Sequence, residues 1–526
     1  MVSNPIVGMG DTFVLGLDGG TEGMRAGLFT PDGDAIFFTR HSYPSQHPRN
    51  GWAEQNPEDW WRSLALCIRD LLEQTGVNPK AILGMSLSCT SYTMVCATID
   101  GIPLRPALMW MDVRSHKEAV IVRETGDPAL KYTGYRHSSA EWMLSKALWV
   151  KHNEPEVFGA TQWISDYVEW MGFRLTGERA VSINSAAIRC YYDRLSGGWP
   201  TSLWEAVGVP ELSDKVASRV INLGDVVGYL SEHVASELGL PAGIPLAQGG
   251  ADAFVGMIGL GVVRPGPVAL ITGSSHLMLL QTEEPRYADG LFGAYTDALI
   301  PGQFTVEGGQ SSTGSVVNWF AKLTGKSPSL DGGLGLTELS MAASKIRPGS
   351  EGVMALDYWQ GNRSPYVDAE ARGMFWGLSL NHGPAHMFRA LLESICYGTN
   401  NVISTIRSSG ESVDSLVACG GALNSPFWMQ LHADISGIEI STTKVPEAVT
   451  LGSGILAAVG AGIFPNVTDA VHSMVHTSET IVPDLSMTQA YRSYSDQYLE
   501  SYSVMKDLMH KSAAHERTTL ESKDLQ

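Results

Sequence analysis

Short apolar runs alternate with longer stretches of helical period along the chain, the pattern of an α/β protein. Val14, Leu15 and Leu17 form the first such run, Gly19 and Gly20 reverse it, and Met24 to Phe29 return, so "LGLDGGTEGMRAGLF" (15–29) predicts a hairpin. "AILGMSLSCTSYTMVCATIDG" (81–101) continues as strands and "SAEWMLSKALWVKHNEPEVF" (139–158) as helix. Near the middle, "PVALITGSSHLMLLQ" (267–281) repeats the strand, small-residue turn and returning strand of the opening. Two related halves, each presenting a hairpin to a shared cleft, would account for the echo. Glycine-rich "GADAFVGMIGLG" (250–261) suits the hinge between them, giving units 1–256 and 257–510. The period of "FWMQLHADISG" (427–437) is helical and puts Phe427, Trp428 and Leu431 in a core. The polar end, "KSAAHERTTLESKDLQ" (511–526), reads as a frayed tail.

Composition narrows the partners. With 526 residues, 44% hydrophobic and 17% charged, the chain is long enough for two globular domains. A net charge of -19 argues against nucleic acid or an anionic membrane as partner, while leaving room for a local basic cluster. Cys67, Cys89, Cys96, Cys190, Cys396 and Cys419 are scattered without a C-x-x-C pair, which predicts free core thiols. With no signal-like start and no apolar stretch of about eighteen residues, a cytoplasmic protein without a membrane partner is expected.

Candidate chemistry gathers at the predicted turns. Asp18 offers a metal-seeking carboxylate, Thr21 a hydroxyl and Arg25 a guanidinium, while glycine lets phosphate oxygens approach, a set that suits a nucleoside triphosphate with Mg²⁺. Phosphoryl transfer to an alcohol also needs a base between donor and acceptor, and Asp252 in "GGADAF" is placed either for that or to cap the following helix. His382 and His386 have the helical spacing of metal ligands, but Gly383 and Pro384 between them break a continuous helix.

Six segments resemble, in order and spacing, the FGGY carbohydrate kinases of the actin-like ATPase superfamily: "GLDGGTEGMR" (16–25), "GWAEQNPEDWW" (51–61), "WMDVRS" (110–115), "GGADAFVG" (249–256), "TGSSHLML" (272–279) and "CGGALNSPFWMQLHADISG" (419–437). "VEGGQSSTGSVVNW" (306–319), "QGNRSPYVD" (360–368) and "HADISG" (432–437) look most like the D-ribulokinase branch. The resemblance implies two actin-like (ribonuclease H-like) domains facing across an ATP and sugar cleft, with a homodimer as the family expectation. It makes Asp252 the catalytic base and Asp18 the Mg²⁺ site, with Gly20, Thr21 and Arg25 beside the transferring group. Gly273 and Ser274 match the second phosphate hairpin and Gly314 a glycine near the nucleotide. Gly420, Gly421 and Ala422 match the loop beneath adenosine, with Ser425 at the adenine edge.

On the sugar side, Trp110 matches a tryptophan lining the acceptor pocket, and Asp112 with Arg114 suits either that pocket or a structural ion pair. Thr90, Ser91 and Tyr92 stand where glycerol kinases carry Arg-Glu and xylulose kinases Met-His. Glu307 matches an acid that contacts sugar in ribulokinases, Arg189 falls where that branch tends to have lysine, and Glu141 and Ala253 complete the substrate set. The expected reaction is ATP-dependent phosphorylation of a terminal hydroxyl of a ketopentose such as D-ribulose. Erythritol, ribitol, xylulose, glycerol or a diketone are the alternative acceptors, and an actin-like ATPase switch without a sugar is the rival from another class.

Overall fold

The computed structural model describes residues 11–133, 138–324 and 335–523. In the first half, β1 (Phe13–Gly19), β2 (Gly23–Phe29), β3 (Ala35–Ser42), β4 (Ile82–Cys89), β5 (Val226–Tyr229) and β6 (Pro245–Ala247) form a sheet in the order β5, β6, β4, β1, β2, β3. In the second, β7 (Pro267–Thr272), β8 (His276–Thr282), β9 (Phe292–Thr296), β10 (Phe304–Gln310), β11 (Ser415–Gly420), β12 (Ile440–Thr443) and β13 (Thr477–Ile481) are ordered β9, β10, β8, β7, β11, β12, β13. Both sheets have the same centre. The opening hairpin is antiparallel, and its first strand pairs in parallel with the strand that follows a long crossover, β1 with β4 and β7 with β11. The echo between the two hairpin sequences is therefore a repeat of topology.

Helix α1 (Pro57–Thr75) shows how local sequence sets an element. Asn56 caps it by accepting from the Glu58 amide, Pro57 opens it, and Gly76 ends it in the left-handed region. Its buried face, with Trp60 and Leu64, joins Leu15, Leu17 and Met85 in the first core. The second half has its own core around Leu270, Met278 and Val306, covered by α5 (Pro384–Ser408) and α6 (Pro426–Ser436).

A third core joins the halves. Short α2 (Ile183–Arg189) and α3 (Asp252–Gly259) lie on the first side of it, and α7 (Ala448–Gly460), which follows β12, crosses back onto β1 and β4, while α4 (Gly314–Leu323) packs into the second core. That crossing needs bare backbone. A Cβ on Gly16 would lie 2.1 Å from the Thr450 carbonyl oxygen, one on Gly259 1.9 Å from that of Ala448, and one on Gly452 2.0 Å from that of Val255. Phe254, Val255, Leu451 and Ile455 then pack Val14 and Phe29 of the first half against Ala269 and Leu279 of the second.

The frayed tail expected at 511–526 is instead the end of a long helix, α8 (Leu485–Lys523), with 524–526 outside the described residues. Tyr491, Tyr498, Tyr502, Met509 and Ala513 are buried along one stripe of it. The Tyr498 hydroxyl donates to Asp357 at 2.6 Å and that of Tyr502 to Asp368 at 2.8 Å. The tail's polarity hid the end of an amphipathic pattern whose apolar members lie mostly upstream.

Candidate functional site

The β1–β2 hairpin closes with the Gly20 amide donating to the Gly23 carbonyl at 3.0 Å, leaving Thr21 and Glu22 at its tip. Register puts Asp18 opposite Arg25, whose Nη1 lies 3.4 Å from Oδ2, and Ser88 Oγ donates to Oδ1 at 3.1 Å. Burial and the charge of Asp252 push the Asp18 carboxyl up to about 7, against the pull of Arg25 and Ser88. Thr21 is held from two sides. Gln55 Nε2 donates to its carbonyl at 2.8 Å, and Trp110 Nε1 to its hydroxyl oxygen at 3.0 Å.

The β7–β8 hairpin is built alike, with the Gly273 amide on the Ser275 carbonyl at 2.9 Å. Thr313 and Ser315 amides donate to the Ser274 carbonyl at 2.9 and 3.1 Å, and the Gly314 amide to that of Gly273 at 3.2 Å, which seats α4 on the turn. The amides of Gly20, Gly273 and Gly314 are thus spent internally. What Gly273 leaves a phosphate is room, since a Cβ there would meet nothing nearer than 3.7 Å.

Beside this hairpin runs the 420–425 loop. Gly420 takes a φ of +97° and could carry no side chain, because its Cβ would lie 1.9 Å from the Thr272 carbonyl oxygen. The Ala422 amide donates to Thr272 Oγ1 at 3.1 Å, and Ser425 Oγ caps α6 by accepting from the Trp428 amide at 3.4 Å. A Cβ on Gly421 would meet nothing within 4 Å. It borders a cavity of about 450 Å³ whose apolar walls include Phe388, Phe427 and Trp428. The helical period had put Phe427 and Trp428 in the core with Leu431. Trp428 and Leu431 are there and Phe427 packs against it half-buried, while the first turn of α6 also gives Phe427 and Trp428 a place in the cavity wall.

Asp252 is set by a tight approach of backbone. The Cys89 amide donates to the Gly250 carbonyl at 3.0 Å, Ser182 Oγ to that of Gly249 at 2.7 Å, and the Ala251 amide to Asn184 Oδ1 at 2.9 Å. A Cβ on Gly249 would sit 1.8 Å from the Leu87 carbonyl oxygen, so this strand end tolerates only glycine. Ala251 is the cap of α3 and Asp252 its first residue, with Oδ1 accepting the Ala253 amide at 2.7 Å. Burial raises the Asp252 carboxyl to about 6, against the Ala253 amide and the charges of Arg189 and Arg25.

Arg189, at the end of α2, reaches across to β10, its Nη1 3.3 Å from Glu307 Oε2. Glu307 is fully buried, and its other oxygen is paired with Arg363. Burial would raise this carboxyl, but the two guanidiniums overcome that and hold it below its usual range. Glu307 and Arg189, expected to meet the acceptor separately, therefore meet each other. Arg363 lies in "QGNRSPYVD", a segment recognised by resemblance, but nothing in its spacing marked that one side chain. Lys146 is a second residue missed. Buried in a helical stretch, it donates to the Tyr92 and Met109 carbonyls at 2.8 Å each, tying together the segments that carry Ser91 and Trp110.

Two expected sugar contacts turn inward. Thr90 is buried with its hydroxyl 3.0 Å from that of Thr93, and Tyr92 is 3% exposed, packed with Met94 and Cys190. Ser91, between them, keeps a buried Oγ with no hydrogen-bond partner among the described residues. Half-buried Glu141 lies near enough to Arg189 and Lys146 to favour their charged forms. Arg114 Nε and Nη2 donate to Asp112 at 2.8–3.0 Å, and Asp112 also accepts the Ala53 amide at 2.7 Å, so this pair is structural.

Residues 13–259 match the N-terminal domain of the FGGY family of carbohydrate kinases, and residues 268–461 its C-terminal domain. The chain belongs to the FGGY family of carbohydrate kinases. It is 31% identical over 492 residues to a protein named ribulokinase from Anoxybacillus flavithermus, covering 86% of each chain, and 28% identical to one named xylulose kinase from Bacillus subtilis, covering 94% and 98%. The solved structure of xylulose kinase from Rhodospirillum rubrum superposes with a TM-score of 0.84 at 26% identity, over 95% of this chain and all of that one.

An FGGY chain of this kind is a sugar kinase with the two-domain actin-like fold, which sets aside a nucleotide switch without a sugar. Sugar and ATP are the substrates the family implies. Among the described residues no helix is long and apolar enough to cross a membrane, and no three His, Cys, Asp or Glu side chains converge on a metal. His382 lies before α5, which starts at Pro384, so it does not share a helix with His386. For Mg²⁺ the donor set still fits. Asp18 is a buried carboxylate and Asp252 a half-buried one, both raised toward neutrality, and Mg²⁺ typically needs only one or two carboxylates, completing its shell with water and phosphate oxygens. The open cradle at Gly421 beside an apolar cavity fits an adenine ring in the same way.

Proposed function

We propose that this FGGY kinase transfers the γ-phosphoryl group of ATP to a terminal hydroxyl of a ketopentose such as D-ribulose, with Asp252 as the base. The observation that carries it is the position of Asp252, half-buried at the head of α3, raised to about 6 and within the fields of both Arg25 and Arg189. A carboxylate there can take the proton of the attacking hydroxyl at neutral pH. Thr21 and Arg25 face the transferring group, Ser274 the neighbouring phosphates, and the Gly420–Ser425 loop the adenosine. Asp18 would hold Mg²⁺, which when bound supplies charge neutralisation at the phosphoryl group.

The substrate class draws its support from relatives named ribulokinase and from the charged acceptor side, where Arg189, Glu307 and Arg363 form a fixed array. Arg363, about a third exposed, is the member of that array open to an acceptor oxygen. A relative named xylulose kinase keeps D-xylulose in the test. An ADP-release screen over pentuloses, tetritols, pentitols and glycerol decides the acceptor. D-ribulose should lead, four- and five-carbon polyols follow and glycerol come last; glycerol in front would overturn the pocket. A cytoplasmic homodimer completes the proposal, with light scattering on the purified protein to read the assembly.

A further inference from the structure

The phosphate and acceptor sides touch at one hydroxyl. The Thr21 carbonyl is fixed by Gln55 Nε2, whose orientation is set in turn because Gln55 Oε1 accepts from Trp60 Nε1 at 3.0 Å. Gln55 is buried, so this grip is dry. The Thr21 hydroxyl oxygen accepts the indole N–H of Trp110 at 3.0 Å, and Trp110 is itself tethered, its backbone amide 3.3 Å from Thr93 Oγ1. A hydroxyl carries one proton and two acceptor positions. Once the indole occupies one of those positions, the proton is confined to directions away from the ring.

We infer that Trp110 is a positioning residue that aims the Thr21 hydroxyl proton at the γ-phosphoryl group, so that the side chain walling the acceptor pocket also sets the grip on the phosphate. This rests on the reading above, in which Thr21 faces ATP. It goes further in giving the indole N–H, and not only the ring face, a part in the reaction. The link also gives a sugar packed on Trp110 a route to the phosphate without touching it, because any tilt of the ring moves the acceptor geometry at Thr21.

The test is a double-mutant cycle on the purified protein, reading affinity for AMP-PNP against affinity for ADP by calorimetry. Taking the ratio within each protein cancels a general loosening of the fold. Trp110→Phe keeps an aromatic face and removes the N–H, while Thr21→Val removes the hydroxyl. Each should lower the AMP-PNP to ADP affinity ratio by about one to two decades, as loss of a hydrogen bond to a charged group does, and the double variant should be no worse than the weaker of the two single ones. Thr21→Ser should stay close to the unmutated protein. Losses that add in the double variant, or a Trp110→Phe protein with an unchanged ratio, would overturn the link alone. A Thr21→Val protein with an unchanged ratio would overturn both the link and the placement of Thr21 beside the γ-phosphate.

Discussion

Asp252 has the two properties a base for an alcohol requires, a raised carboxyl and a fixed direction, and both come from its neighbours. Burial supplies the first, and the Ala253 amide with the Gly249–Gly250 backbone contacts supplies the second. Asp252→Asn should lower turnover by about 10² to 10⁴ while AMP-PNP binds as before; retention of more than about a tenth of the turnover would remove Asp252 from the role. Glu307 works differently, because both its oxygens are committed to arginines. Glu307→Gln should free Arg189 and Arg363 from their shared counter-charge and lower kcat/KM for the sugar by about one to two decades, with the KM for ATP nearly unchanged. Equal damage to both substrates in a steady-state comparison would contradict that placement. Arg363 itself could not be found from the chain, since an arginine in a polar loop looks the same whether it faces water or a buried acid.

Among the elements, α7 and α8 show opposite sides of legibility. The small residues of α7 carry no local sign of their role, and that they let a helix of the second half lie on β1 and α3 became clear only from the contacts at Gly16 and Gly452. Gly16→Ala should cost about 1–3 kcal/mol or more, because the new methyl would meet a backbone carbonyl that cannot swing away. Chemical denaturation of the two proteins measures it, and an unchanged midpoint would mean the helix can shift without loss. For α8, the tyrosine hydroxyls matter because each meets a buried or nearly buried carboxylate. Tyr498→Phe should leave Asp357, whose carboxyl burial raises to about 6, without its 2.6 Å donor, and cost on the order of 1–3 kcal/mol. The same denaturation experiment reads that cost.

At the scale of the whole molecule, two sheets of equal central order bring their hairpins and two acids into one buried site, and this has a consequence for pH. Asp18 and Asp252 have folded-state values of about 7 and 6, above the ordinary carboxylate range. At these two groups the folded chain holds more protons than the unfolded one between about pH 4 and 7, so their contribution to stability falls as pH rises through that window. Compared with the unmutated ligand-free protein, Asp18→Asn should gain melting temperature as pH rises from 5 to 7.5, by about 1–2 °C at pH 7.5. A melting curve indifferent to the substitution would place the acid in a better solvated setting. The sequence by itself determined the α/β class, both hairpins, the duplicated halves, the glycines at the strand ends and the acid that follows them. These are consequences of local period and turn chemistry, which each segment carries within itself. Only the tertiary structure decided that Glu307 would be clamped by Arg189 and Arg363, that Tyr92 would turn into the core, that Trp428 would face a cavity, and that Trp110 would hold Thr21. Each of those depends on which distant segment arrives alongside, and that is fixed by the packing of whole elements around shared cores, which no local pattern records.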